Sequence, residues 1–206
     1  SEPGSRESEQ QAICDLAEMH GVDPPVSGVN HYRADLGAIR VKWERHTEFV
    51  RYNFFADGVS VNPFDDPVID RLPADWLAGL QSKILIAAHV ALLDRDGDLD
   101  PEQTSEQCFA SHQLIGSGVA GGAGTALTDF QIRDEDGFSR LLVANGKMSP
   151  AQAGRTVQRL LEIDTYRMMA LLALPTARAL APILSGSEQE LLRITTALAS
   201  SEESDE

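Results

Sequence analysis

The chain has 206 residues, 42% of them apolar, so it can bury a continuous core and is not a wholly disordered polymer. Its 32 acidic against 17 basic side chains give a formal charge of −15, a field that repels phosphate backbones and argues against nucleic acid as a partner. Two isolated cysteines, Cys14 and Cys108, exclude a disulfide scaffold and offer no zinc-ligand spacing.

In chain order, "SEPGSRESEQ" has neither the basic flank nor the apolar run of a signal peptide, and residues 1–8 read as a disordered polar tail. Ala12, Ile13, Leu16, Ala17 and Met19 then recur at helical spacing, with Gly21 as a stop. "VDPPVSGVNHY" reads as a turn-rich connector. "LGAIRVKW" and "TEFVRYNFF" alternate as strands on either side of the charged "ERH", which predicts an antiparallel hairpin.

Prolines at 63, 67 and 73 punctuate the next stretch into short helical turns. "SKILIAAHVALLD" is a near-continuous apolar run, read as a central strand buried on both faces, with a buried helix as the alternative. An acidic loop and a short helical segment follow, then three strands in "HQLIGSGV", "TALTDFQIR" and "FSRLLVANG". Ser149 and Gln152 form a capping box around Pro150 and open a long helix. Pro175 is expected to end it at Leu174, with a second helical stretch from Thr176 towards Ala199, interrupted near 182–187.

The order of elements predicts an α+β fold: an antiparallel or mixed sheet covered by helices, with a long C-terminal helix pair. Residues 9–199 are expected to form one domain, and 200–206 an acidic tail. No uninterrupted apolar stretch reaches the roughly 18 to 20 residues that span a bilayer, so the chain as written is expected to be soluble.

Gly116, Gly118 and Gly121 spell G-x-G-x-x-G, with Asp134 at the distance of a ribose-binding acid. A dinucleotide site needs those glycines to link a strand to a full helix. Only eight residues, Gly122 to Asp129, separate Gly121 from the strand-like "FQI", too few and too rich in glycine for a helix and its loop. No cofactor is therefore expected, and Gly116, Gly118, Gly121 and Gly122 are assigned to a tight strand connection or to close approach by another group.

Asp94, Asp96, Asp98 and Asp100 around Gly97 resemble a calcium loop, yet aligning the glycine puts Leu92 and Gln103 where two strong oxygen ligands belong. A solvated acidic loop is the better reading, and no metal site is expected. No nucleophile elbow, H-E-x-x-H or P-loop occurs, so no complete catalytic motif is present.

Two polar clusters stand out. Glu44, Arg45, His46 and Glu48 lie at the hairpin, where a histidine beside carboxylates can act as a base or as one member of an ion-paired end. Arg155, Arg159, Glu162 and Tyr166 recur along one face of the long helix, with Arg159–Glu162 and Asp164–Arg167 within pairing distance; the rest of that helix is apolar enough to imply burial. Together these residues are the candidate interaction surface.

Four stretches, "NHYRADLGAIRVKWERHTEF", "PADWLAGL", "GSGVAGGAGTALTDFQIRDEDGFSRLLV" and "SPAQAGRTVQRLLEIDTYRMMALLALPTAR", resemble a bacterial family of uncharacterised membrane-anchored proteins, the domain-of-unknown-function family 3422. The resemblance runs from about Asn30 to Arg178 and implies a soluble N-terminal portion, tethered at the cytoplasmic face of the inner membrane by segments not among these residues. It brings no catalytic set. It leads to the expectation of a protein-interaction or sensing module without catalysis, with a protein partner and a homodimer through the C-terminal helices as possible assemblies. The alternative is a small-molecule or hydrolytic site where His46 and Glu48 meet the glycine run 116–124.

Overall fold

A computed structural model describes residues 6–58, 62–80, 83–94, 99–133 and 137–202. The chain divides into two compact units, 1–157 and 158–206.

The first unit holds two small sheets, each with its own core. Helix α1 (Arg6–Met19) starts three residues earlier than its apolar spacing indicates. It ends ahead of Gly21, whose φ of 67° is left-handed backbone that glycine adopts without a Cβ penalty. Strands β1 (His31–Asp35), β2 (Arg40–Arg45) and β3 (Val50–Phe55) form an antiparallel meander in that order. Strand β1 begins inside the stretch whose turn residues predict a connector. In "HYRAD" only Tyr32 and Ala34 turn inward, and its five residues pair with β2 from His31–Glu44 to Asp35–Arg40.

One face of this meander carries Val41 and Trp43, both buried, against Ile13 and Leu16 of α1 and against Leu72 and Trp76. Trp76 sits on helix α2 (Ala74–Gly79), and its indole N–H donates to the Ala12 carbonyl at 2.6 Å, tying α2 to α1. Tyr52 and Phe54 meet the same indole edge-on, at ring separations of 5.6 and 6.0 Å.

The second sheet contains β4 (Ala88–Asp94), β5 (Ile115–Val119), β6 (Gly124–Thr128) and β7 (Ser139–Asn145). Its order is β4-β7-β6-β5. Strand β4 pairs parallel with β7, and the other pairs are antiparallel, so the sheet is mixed. The apolar run around β4 predicts a central strand. It is an edge strand, fully burying only Ala91 and leaving Leu92 exposed; β6 and β7 occupy the centre. An apolar run reports burial but not rank within a sheet, and one-sided contact with a core is enough to demand it.

Helix α3 (Pro101–Cys108) covers this sheet, with Phe109 and Phe64 packed edge to face at 5.8 Å over Leu127 and Leu142. The Arg140 guanidinium lies 5.1 Å above the Phe64 ring and donates to the Cys108 carbonyl at 2.8 Å.

The glycine run is hairpin backbone. Gly116 and Gly118 lie in β5, and a 3-10 turn at Ala120–Gly122 leads into β6, so no helix follows the run. Of the four glycines assigned to close approach, only Gly116 has an atom within 4 Å of where a Cβ would sit, the Leu127 methyl at 2.9 Å. Gly121 and Gly122 are required instead by φ values of 69° and 88°. The tightest approach is at Gly124, where a Cβ would lie 2.7 Å from the Ala144 carbonyl and 2.6 Å from the Met148 methyl.

The capping box forms as expected: the Ser149 N–H donates to Gln152 Oε1 at 3.0 Å and the Gln152 N–H to Ser149 Oγ at 3.4 Å. The helix it opens, α4 (Pro150–Glu202), is a single helix of 53 residues that passes through Pro175 and Pro182. The expected stop at Leu174, and with it the helix pair, gives way to one element. Residues 203–206, Asp134, and Asp96, Gly97 and Asp98 of the acidic loop lie outside the described residues.

Candidate interaction surface

The hairpin cluster lies where β2 turns into β3. His46 and Glu48 occupy the tip rather than a shared strand face, and both are exposed. The His46 N–H donates to the Phe49 carbonyl at 2.9 Å, and the two rings stack at 4.5 Å. Glu44 pairs with Lys42 on its own strand at 2.8 Å. Arg45 reaches Glu9 of α1 at 3.9 Å and lies 5.0 Å over the Trp43 ring. Glu44 and Arg45 therefore fasten the first sheet internally, while His46 and Glu48 are offered to solvent. The glycines 116–124 belong to the β5–β6 hairpin of the other sheet, and among the described residues no hydrogen bond or ring contact joins them to His46.

On α4, Arg155 and Arg159 are exposed. Glu162 accepts from Gln158 at 2.9 Å, and Arg167 pairs with Asp164 at 2.7 Å. These charges form an ordinary solvated helix face with local pairs. The same helix has a less ordinary property further on. Every residue from 170 to 196 is exposed, including Leu180, Leu184 and Leu191 at 49%, 62% and 63% of their full accessibility. Isolated exposed leucines need no explanation, but a continuous apolar helix face does.

One further polar cluster carries no sequence motif. The Asp129 side chain is wholly buried at the end of β6. Its Oδ2 lies 2.9 Å from His112 Nδ1 and 2.7 Å from Arg133 Nη2, and its Oδ1 accepts from the Gln131 N–H at 3.1 Å. Arg133 is also buried, and its Nη1 approaches His112 Nδ1 at 2.7 Å. A single ring nitrogen thus faces both a donor and an acceptor, and its tautomer decides which bond is made.

The flanking backbone is strained, with Ala110, Ser111 and Phe130 all at φ between 52° and 60°. The cluster clamps two such loops together, and a buried carboxylate held by a guanidinium suits that task. The signal for it was Asp129 four residues before Arg133 at a strand end, a spacing too common to single out.

The thiols are poor nucleophiles. Burial pushes Cys14 up, with the charges of Asp15 and Glu18 adding to it, and burial likewise raises Cys108. Among the described residues, no group of three histidine, cysteine or acidic side chains is arranged to hold a metal ion. Asp94 and Asp100 of the acidic loop have structural work: Asp94 accepts from Asn145 at 2.9 Å, and Asp100 caps α3 through the N–H groups of Glu102 and Gln103.

No curated protein and no solved structure matches the chain. A family model described as a protein of unknown function, DUF3422, matches residues 1–206. The chain belongs to that family.

Proposed function

We propose that this protein is a non-enzymatic interaction module and that α4 is its docking arm. The observation that carries the reading is the uncovered helix at 170–196. Its interior holds Pro175 and Pro182, each of which removes a backbone hydrogen bond and costs about 3 kcal/mol in a helix, and Gly186, which costs about 1 kcal/mol more. Fully burying a leucine contributes about 1.5 to 3 kcal/mol, so covering three or four of the exposed side chains offsets that penalty. Left bare, the segment has nothing to offset it.

A bilayer is the other apolar surrounding such a helix could enter. By length and composition alone, Pro150–Thr196 is long and apolar enough to cross one. Its least charged stretch, 168–187, nevertheless carries Arg178 at the middle, where a guanidinium costs about 2.5 to 3.5 kcal/mol on insertion scales, beside both prolines. A packed helix leaves Arg178 on its wet side at no such cost. We therefore read α4 as a protein contact, and place the tether that the family resemblance implies in other segments.

The test is the size of the full-length assembly after mild detergent extraction. A Leu184→Glu, Leu191→Glu variant is expected to run smaller than wild type while keeping the near-ultraviolet signal of Trp43 and Trp76. Equal size for variant and wild type would refute the docking arm.

A further inference from the structure

We infer that the partner of α4 is a second copy of this chain, packed antiparallel along one heptad seam. This rests on the docking-arm reading and adds the identity and register of the partner.

The seam is visible once the helix is read in steps of three and four. Ile163, Ala170, Ala177, Leu184 and Leu191 occupy one heptad position, and Tyr166, Ala173, Leu180, Ser187 and Ile194 the position three residues on. No charge interrupts this stripe across more than four heptads, about 47 Å of helix, which is the span that marks a coiled-coil face. Arg159 stands at the next position towards the N-terminus and closes it. Pro175 and Pro182, seven residues apart, both lie on the face opposite the seam, where the missing N–H groups do not disturb the contact.

The pattern is self-complementary in one orientation. A twofold axis between Ala177 and Leu180 sets Ala177 against Leu180, Ala173 against Leu184 and Ala170 against Ser187 of the second copy. At the ends Tyr166 meets Leu191, and Ile163 meets Ile194. Each central leucine then faces an alanine, which keeps the layers of even volume. A parallel pair would stack three consecutive alanine layers and then two leucine layers, leaving a thin waist.

Charge agrees with the antiparallel choice. The positions beside the seam place Arg167 next to Glu188 of the second copy, twice by symmetry, while the Asp164 pairing of Arg167 remains on the same helix.

The experiment uses the 206-residue chain. Sedimentation equilibrium should give a species at twice 22.3 kDa. In a Cys14→Ser background, which removes the partly exposed native thiol, Tyr166→Cys and Leu191→Cys, mixed one to one and oxidised, should cross-link to each other, and neither should cross-link with itself. A monomer at every concentration, or self-linking of Tyr166→Cys, would overturn the inference, as would binding to phosphatidylglycerol vesicles without self-association. If the chain is monomeric but the Leu184→Glu, Leu191→Glu change still shrinks the full-length assembly, the arm binds a different helix: the inference fails and the docking arm survives.

Discussion

Asp129 shows how much a single side chain can hold. Its carboxylate is wholly buried and anchors His112, Arg133 and the Gln131 N–H. Removing one partner of a buried pair leaves the other charge uncompensated, at a cost of about 3 to 5 kcal/mol. Asp129→Asn is expected to lower stability by that order in a denaturant titration, whereas Ser117→Ala on the exposed β5 should change it by less than about 0.5 kcal/mol. An Asp129→Asn variant as stable as wild type would show that the clamp is dispensable.

Tyr52 makes a second residue-level prediction. Burial pushes its hydroxyl up to about 12, with the Glu9 charge adding to the shift and Trp43 and Arg45 opposing it. The unfolded chain loses this proton near pH 10 and the folded chain does not, so the stabilisation is complete below pH 10 and is lost as pH rises towards 12. Tyr52→Phe should flatten that decline. An unchanged slope would place the alkaline loss elsewhere.

The elements differ in how openly the sequence declares them. The capping box at Ser149–Gln152, the β2–β3 hairpin and the three late strands rest on local chemistry and are present, although the strand expected over 125–133 ends at Thr128 and leaves Phe130–Ile132 outside it. Strand β1 was hidden because its alternation is short and follows a proline- and glycine-rich connector. The edge rank of β4 is set by pairing with β7 across more than forty residues, which no local pattern encodes. Pro175 misled for a related reason: a proline stop is a local penalty of a few kcal/mol, and a long helix with a face to bury can absorb it.

At the glycine hairpin the spacing of the motif was visible, but the glycine that matters was not. Gly124→Ala would push a methyl group into the Ala144 carbonyl, while Gly118→Ala meets nothing within 4 Å. The first is expected to cost about 1 to 3 kcal/mol and the second to fall within about 1 kcal/mol of wild type, both read from thermal unfolding. Equal losses would mean that the close approach at β6 relaxes freely.

For the whole molecule, the sequence announces an α+β chain and its family, while the candidate surface becomes legible only with the fold. The charges at 44–48 and 155–167 are conspicuous in one dimension, yet in three they largely pair with neighbours or face water. The apolar seam of α4 was obscured by the assumption that an apolar helix is already buried. Its exposure, two interior prolines and a self-complementary register together underlie the proposed docking arm and its pairing with a second copy.

Amide hydrogen exchange over 170–196, measured on the 206-residue chain at a low and a high concentration, reads out that self-pairing. Rapid exchange is expected in the dilute sample, with protection that grows with concentration while the core strands β6 and β7 stay equally protected in both. Strong protection of 170–196 in a dilute sample that sediments as a monomer would contradict it, because the helix would then be stable with its apolar face uncovered.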